Sequence, residues 1–238
     1  MDSPLLEVTS LESGYGDVKV LWGIDIEIHA GKIVCLVGSN GAGKTTLLRT
    51  VSGVVRGTAG QVKFDGQDVS GYSAKQMLDC GIAHVPEGRR LFKGLTVRDN
   101  LLLGAFLRSD SRAIKEDLER AFEIFPILSE RRNQDATTLS GGEQQMCAIA
   151  RGMMSRPKLL MIDEMSLGLA PRLVEHLADT LIRVNKEGLT ILLVEQDVIT
   201  AFELAEEAFV IETGRVSNRG RTEELSKDPA IRQAYLGI

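Results

Sequence analysis

Glycines and a lysine stand at fixed spacing in the segment Gly38-Ser39-Asn40-Gly41-Ala42-Gly43-Lys44-Thr45. Glycines let backbone N–H groups converge on one point, where side chains would collide. A lysine and a hydroxyl beside such a loop are the groups that hold the phosphates and the Mg²⁺ of a bound nucleotide. An apolar run precedes the loop and a helical pattern follows it, so a helix N-terminus adds its positive dipole end. We therefore predict a nucleoside-triphosphate site at residues 38–45 and at the adjoining Thr46.

A second candidate site is the apolar run Leu159-Leu160-Met161-Ile162, which ends in the carboxylates Asp163 and Glu164. At the end of a buried strand, Asp163 would hold through water the Mg²⁺ that Thr45 ligates, and Glu164 would orient and deprotonate the attacking water. A strand that merely ends in a helix cap has the same pattern. The glycine-rich loop at residues 38–45, which lies upstream, favours the catalytic interpretation.

The segment Leu139-Ser140-Gly141-Gly142-Glu143 follows nearly one hundred residues after the loop. Ser140 and Glu143 form a capping-box pattern ahead of a helix. That pattern does not explain two glycines in a first turn, since each costs up to ~1 kcal/mol relative to alanine. We predict that an anion, the γ-phosphate presented by another subunit, approaches this bare backbone. Both interpretations can hold together.

An aromatic residue, Tyr15, lies between two glycines shortly ahead of Val20. Its ring could stack on an adenine, with Val20 beside it. A single aromatic residue near a turn can equally be part of ordinary surface packing. From the residues alone, the two interpretations stay open.

The hydrophobic pattern indicates which elements position these residues. Alternation at residues 5–11 and 22–28 is typical of antiparallel strands, and continuous apolar runs at 32–37, 159–162 and 190–194 are typical of buried parallel strands. Helical patterns precede the last two runs, which predicts an α/β fold with a parallel sheet. Residues 61–64 predict a further strand, and residues 208–217 predict a hairpin. An amphipathic helix at 111–125 and the absence of a strand pattern from 86 to 139 predict an inserted helical lobe.

We therefore expect one domain over residues 1–238. It comprises an α/β core at about 1–85 and 155–220, a helical subdomain at about 86–154 and a tail at about 221–238. Hydrophobic residues make up 43% of the chain, enough to bury a full core. The net charge of −5 argues against a nucleic-acid partner. The apolar runs fall far short of the ~20 residues that span a bilayer, and residues 1–4 lack a signal pattern. We expect a chain that is soluble or docks on a membrane protein without inserting.

In this order, the motifs resemble the ATP-binding subunits of ABC transporters over essentially the whole chain. More narrowly, VPEGRRLF at 85–92, SLGLAP at 166–171, LVEQ at 193–196 and AYLG at 234–237 resemble the LivF-type subunits of branched-chain amino-acid importers. The resemblance implies a RecA-like P-loop core with an antiparallel β subdomain, ATP and Mg²⁺ as ligands, Tyr15 stacked on adenine, and a catalytic Glu164 assisted by Lys44 and Gln196. It also implies that Glu87, Gly88 and Arg89 couple to the permease, with Glu87 near the metal.

The implied partners are a second ATPase subunit, either a LivG-like paralogue or a second copy, then transmembrane permease subunits and, indirectly, a periplasmic solute-binding protein. The implied location is the cytoplasmic face of a bacterial inner membrane. A soluble ABC ATPase of translation or DNA repair is the alternative. Such proteins usually carry coiled-coil insertions, tandem cassettes or basic linkers, and none of these is visible in this acidic chain.

Several positions depart from the general ABC pattern: Glu87 stands for a glutamine, Glu143 for a glutamine, Ala170 for an aspartate, Gln196 for a histidine and Met165 for a proline. LivF-type proteins share most of these departures, but not Met165. Gln196 can donate a hydrogen bond to a γ-phosphate but cannot become cationic as histidine can. We therefore hypothesise that the site of this subunit is catalytically weaker than that of a partner ATPase with glutamine and histidine at these positions.

Overall fold

The computed structural model describes residues 3–236. Met1, Asp2 and Gly237, which the sequence arguments used, lie outside the described residues. The strands are β1 (Leu6–Tyr15), β2 (Val18–Ile28), β3 (Ile33–Val37), β4 (Gly57–Phe64), β5 (Gln67–Asp68), β6 (Ile82–Val85), β7 (Leu159–Asp163), β8 (Thr190–Glu195), β9 (Glu207–Glu212) and β10 (Arg215–Arg221). The α-helices are α1 (Lys44–Val51), α2 (Ala74–Cys80), α3 (Val97–Leu103), α4 (Ser111–Ile124), α5 (Pro126–Glu130), α6 (Gly141–Met153), α7 (Pro171–Lys186), α8 (Val198–Leu204), α9 (Thr222–Leu225) and α10 (Pro229–Ile231).

Among the described residues, six strands form one core sheet in the order β10-β9-β3-β8-β7-β6. Its five strands from β9 to β6 pair in parallel, and β10 closes the edge as an antiparallel hairpin with β9. Every residue of β3, β7 and β8 is buried, because helices cover both faces of the sheet. The carboxyl ends of these three neighbouring strands therefore meet at one edge.

The remaining strands form a smaller antiparallel sheet in the order β2-β1-β4-β5. Its inward-facing residues alternate with exposed ones, as the sequence pattern predicts for β1 and β2. They share a hydrophobic core with α1, whose Leu47, Leu48 and Val51 pack between the two sheets. The helix that begins at the glycine-rich loop is thereby clamped on both sides.

A helical region separates β6 from β7, and the described residues between these strands contain no strand of either sheet. Helices α3–α6 pack around Phe122, Phe125, Leu128 and Met146. Pro126 begins α5 because proline fits the first turn of a helix. The predicted fold, a P-loop core with an antiparallel β subdomain and an inserted helical subdomain, is confirmed.

The stretch expected to be a tail begins within β10 and continues through α9 and α10 to a π-helical turn at Arg232–Leu236. Leu225 and Ile231 from this stretch are buried in the core. Over the described ranges, no helix combines the length and the apolar character that crossing a membrane requires.

Candidate nucleotide-binding site

The glycine-rich loop joins β3 to α1 and curls around the lysine side chain. A Cβ atom on Gly38 would lie 2.2 Å from the carbonyl oxygen of Ile211, so only glycine fits there. Gly43 caps α1 with a left-handed φ of 110°. Lys44 Nζ donates to the carbonyl oxygens of Gly38 at 2.7 Å and Ser39 at 3.2 Å. The ammonium group is therefore held over the loop by its own backbone.

Burial lowers the pKa of Lys44, while the nearby carboxylates Glu164, Asp163 and Glu195 raise it. These carboxylates come from β7 and β8, so the strand ends place them close to the ammonium group, as the sequence predicts for two of them. An anionic ligand in the loop would add further compensating charge. The electrostatics suit a cation that pairs with phosphate oxygens.

The rest of the loop has an exposed rim and a buried base. Ser39, Asn40 and Gly41 are exposed, while Ala42 and Thr46 are buried. The turn between β9 and β10 supports the base, because Gly214 donates its N–H to the carbonyl of Ala42 at 2.8 Å. The sequence predicted this hairpin but not its contact with the loop.

The β1–β2 hairpin places Tyr15 and Val20 alongside α1, with Tyr15 at Arg49 in the last turn and Val20 at the N-cap Gly43. Tyr15 is 43% exposed, and its hydroxyl accepts a hydrogen bond from Arg49 at 3.2 Å. Val20 lies next to Gly43, where an added Cβ atom would be 3.5 Å from the Val20 side chain. The exposed ring of Tyr15, which lies beside α1, is available for stacking on a base.

Asp163 lies at the carboxyl end of β7 and faces the first turn of α1. Thr45 Oγ1 donates to Asp163 Oδ1 at 3.4 Å. Within the part of the chain that the structure describes, Asp163 Oδ2 is buried without a hydrogen-bond partner. Burial, together with the charges of Glu164 and Glu87, raises the pKa of Asp163 to about 6, against the effect of the Thr45 hydrogen bond. The charge of Lys44 lowers this pKa but does not cancel the rise, so a further cation at this carboxylate would be favourable.

Glu164 and Gln196 follow β7 and β8 and line one cavity. This cavity has a volume of about 340 Å³, and its lining is Glu164, Ser166, Leu167, Glu195, Gln196 and Asp197. Glu164 adopts a left-handed φ of 51°, and its N–H donates to the carbonyl of Val194 at 2.8 Å. Strain of this kind is held by surrounding structure and often lies at functional sites. The predicted base and the predicted γ-phosphate donor are therefore neighbours.

Glu195 is a site residue that the sequence analysis did not single out. It is 1% exposed, and burial raises its pKa to about 7 although hydrogen bonds from Ser166 lower it. The available signal was an acidic residue at the end of an otherwise apolar strand, the same signal that identified Asp163.

The segment 139–143 begins α6 with a complete capping box. Ser140 accepts from the N–H of Glu143, and Glu143 Oε2 accepts from the N–H of Ser140 at 2.8 Å. Leu139 is buried, Ser140 is exposed, and Glu143 also pairs with Arg131 at 3.1 Å. The capping-box interpretation is confirmed.

Neighbouring side chains also leave little room for a Cβ atom at either glycine of this segment, and the sequence argument missed these contacts. A Cβ atom on Gly142 would lie 2.5 Å from the Leu173 side chain, and one on Gly141 would lie 3.0 Å from the Arg89 guanidinium. The buried Gly142 is accounted for by the packing of Leu173 on it. The anion argument from missing side chains therefore rests on Gly141, next to the exposed Ser140.

The loop after β6 contacts α6 through two arginines. Glu87 and Gly88 are exposed, and Arg89 donates to Gln144 at 3.4 Å. Arg151 of α6 donates to the carbonyl oxygens of Arg89 at 3.0 Å and Arg90 at 2.8 Å. The loop that was predicted to contact the permease is thereby tied to the helix that Ser140 caps.

Comparisons with known proteins agree with this geometry. The family model described as ABC transporter matches residues 21–166. The branched-chain amino acid transport ATP-binding protein BraG of Pseudomonas aeruginosa is 41% identical, over 98% of this chain and all of BraG. The probable LivF protein of Archaeoglobus fulgidus is 33% identical, over 98% of this chain and 99% of LivF.

Among solved structures, cbiO1 from Clostridium perfringens, part of the transporter complex cbiONQ, superposes with a TM-score of 0.85 at 27% identity. The superposition covers 99% of this chain and 96% of cbiO1. Both the sequence match and the fold extend over the elements that carry the predicted site. The chain therefore belongs to the ABC transporter family, as one of its ATPase subunits.

Proposed function

We propose that the chain binds ATP at residues 38–46 and hydrolyses it to power an importer of branched-chain amino acids or a related small polar solute. The observation that carries this proposal is the meeting of Lys44, Thr45, Asp163, Glu164 and Gln196 at one edge of the core sheet. Ligands of open α/β sheets bind beyond the carboxyl ends of the strands, which is where these residues lie. BraG and LivF are named for branched-chain amino acid transport, and this supports the cargo.

ATP would lie along the glycine-rich loop with its adenine on Tyr15 and Val20. The N–H groups of residues 38–46 would surround the phosphates, and Lys44 would exchange its backbone contacts for the β- and γ-phosphates. The exposed ring of Tyr15 would leave Arg49 to stack on the base. Each of these movements involves a side chain and leaves the clamped helix α1 in place.

The residues fit a magnesium ion. The unpartnered Asp163 Oδ2 and the adjacent Thr45 hydroxyl are oxygen donors of the kind that Mg²⁺ prefers. Glu87 adds negative charge nearby, as its influence on Asp163 indicates. A bound Mg²⁺ would neutralise charge on the β- and γ-phosphate oxygens. Thr45 and Asp163 would hold the ion, and the negative charge of Glu87 would favour its binding.

Hydrolysis would use the cavity between the ends of β7 and β8. Glu164 would accept a proton from the attacking water, and Gln196 would donate a hydrogen bond to a γ-phosphate oxygen. Lys44 would stabilise the charge that spreads over the transferred phosphoryl group.

A second ATPase subunit would complete the site. Ser140 and the N-terminus of α6 would cover the γ-phosphate bound by the partner, and the partner would do the same here. We propose a heterodimer with a LivG-like subunit, because Glu87 and Gln196 leave this chain without the usual glutamine and histidine. If the chain formed a homodimer instead, the two ATP sites would be identical and this asymmetry would be absent.

The permease would dock on the helical subdomain, proposed at about residues 86–154. Phe92 is 51% exposed, and Phe106, after α3, is 76% exposed. Both residues are aromatic, and aromatic side chains are enriched at the core of protein–protein interfaces. The chain would thus lie at the cytoplasmic face of the membrane, bound to permease subunits that receive solute from a binding protein.

Affinity purification from detergent-solubilised membranes tests this assignment. We expect the tagged chain to retain a polytopic permease, and Phe106→Glu to lose it. Val54→Glu is the matched control, since Val54 is 62% exposed but lies after α1. Recovery of ribosomes or DNA in place of a permease would instead support the translation or repair type of ATPase.

A further inference from the structure

The proposed function leaves one buried carboxylate without a role. Glu195 is the last residue of β8, which lies between β3 and β7 in the core sheet. It pairs in register with Val37, directly before the glycine-rich loop. Its neighbour Val194 pairs with Asp163. Glu195 is thus at the centre of the edge where the site residues meet.

Both carboxylate oxygens of Glu195 accept hydrogen bonds from Ser166, two residues after Glu164. The N–H of Ser166 donates to Oε1 at 3.0 Å, and the hydroxyl of Ser166 donates to Oε2 at 2.8 Å. On the other side of Glu164, its own N–H donates to Val194 at 2.8 Å. The end of β8 therefore holds the chain on both sides of Met165, which is itself buried. These anchors hold the backbone that carries the Glu164 side chain.

The surroundings of Glu195 make a purely structural role costly. Glu164 lies at the end of β7 and Asp197 at the start of α8, and the charge of each disfavours a second carboxylate. Lys44 of α1 is a cation that faces this cluster, and the charge of Glu195 raises its pKa. The same charge also raises the pKa of Cys35 in β3. Burying a carboxylate among like charges costs free energy that a residue without charge would not.

We propose that Glu195 is a positioning residue for ATP hydrolysis. By holding Ser166, it fixes the direction of Glu164 and the course of residues 166–170 beside Gln196. The proposal rests on the proposed function, since it assigns Glu195 to the same ATPase site. It requires that loss of the Glu195–Ser166 contact lowers kcat and leaves ATP binding at Lys44 intact.

The test uses the whole complex. In the partner ATPase, the catalytic carboxylate is replaced by glutamine, so that the measured hydrolysis comes from the site of this chain. Ser166→Ala removes one of the two hydrogen bonds and should lower kcat about fivefold, as expected for a bond of ordinary strength. Glu195→Ala removes both and should lower kcat at least about tenfold. The Kd for ATP should change less than about twofold in either variant. Glu195→Gln should recover most of the loss, because its amide can accept from the N–H of Ser166 and donate to the hydroxyl.

Ser155→Ala is the matched control, because Ser155 is also half-buried and its hydroxyl donates to the carbonyl of Gly152 within its own turn, at 2.9 Å. Unchanged kcat in both Ser166→Ala and Glu195→Ala would overturn the positioning role. A parallel loss of kcat, ATP affinity and melting temperature that Glu195→Gln does not relieve would also overturn it, because it would indicate packing alone. Glu164→Gln in the same complex separates the two proposals. If Glu164→Gln leaves hydrolysis intact, the proposed function fails, and if it abolishes hydrolysis while Ser166→Ala does not lower it, the positioning role alone fails.

Discussion

At the scale of single residues, Glu195 also makes the stability of the fold depend on pH. Burial raises its pKa from an ordinary value of 4.5 to about 7, so the folded state favours the protonated form. The stabilisation from that proton is fully present below about pH 4.5 and is lost as the pH rises through about 7. Above pH 7, the folded chain carries an unfavourable buried charge.

Glu195→Gln should therefore be more stable than the wild type at pH 8, by at most about 3 kcal/mol. The advantage should shrink as the pH falls below 7 and vanish near pH 4.5. Denaturant unfolding of the nucleotide-free chain at several pH values measures the difference. Taking the difference cancels the contribution of Asp163, whose pKa is also raised, because both proteins retain it. A stability difference that is independent of pH would contradict the buried charge.

At the scale of elements, α6 connects the segment that we propose to face the partner with the loop that we propose to face the permease. Arg151 links them through the carbonyl oxygens of Arg89 and Arg90, and its guanidinium lies 5.4 Å from the centre of the Phe92 ring. Arg151→Ala should free this loop. We expect ATP binding to persist and the stimulation of hydrolysis by the solute-binding protein to fall several-fold.

ATPase rates of the reconstituted complex, with and without the binding protein, measure this coupling. Arg112→Ala serves as the control, because Arg112 lies on the exposed face of α4 and pairs with Glu116. Equal stimulation in the wild type and Arg151→Ala would show that the contact of Arg151 with the loop does not couple the binding protein to ATP hydrolysis.

The elements that carry the chemistry were predictable because each has a strong local signal. The buried strands β3, β7 and β8 are continuous apolar runs, and α4 has an apolar face that lies in the core. The short elements β5, β6, α2 and α8 escaped prediction, since two to seven residues carry too little periodicity. Strand order, which places Glu195 beside Ser166, depends on pairing between distant segments.

At the scale of site residues, the same distinction holds. Lys44, Thr45, Asp163 and Glu164 follow from motifs within short segments of the chain. The contact of Leu173 with Gly142 joins two helices, and no local pattern reveals it. The sequence argument therefore overlooked a packing contact that also favours glycine at this position, and the anion-binding role of the segment stays a prediction.

At the scale of the whole molecule, the assembly should contain two unequal ATP sites. Gln196 is exposed at the mouth of the cavity beside Glu164 and has no cationic form. Glu164→Gln in this chain should therefore lower ATP turnover of the complex less than the matching change in the partner. Steady-state turnover of the two single variants tests this expectation. Equal losses would contradict the asymmetry.

The central claim is that ATP bound at the glycine-rich loop of this chain drives transport. The most direct measurement is ATP-dependent uptake of labelled leucine by proteoliposomes that contain the complex with wild-type chain or with Lys44→Ala. We expect uptake by the wild type and a loss of at least about tenfold in Lys44→Ala, because the loop then lacks its phosphate-binding cation. Equal ATP-dependent uptake by the two complexes would contradict the claim.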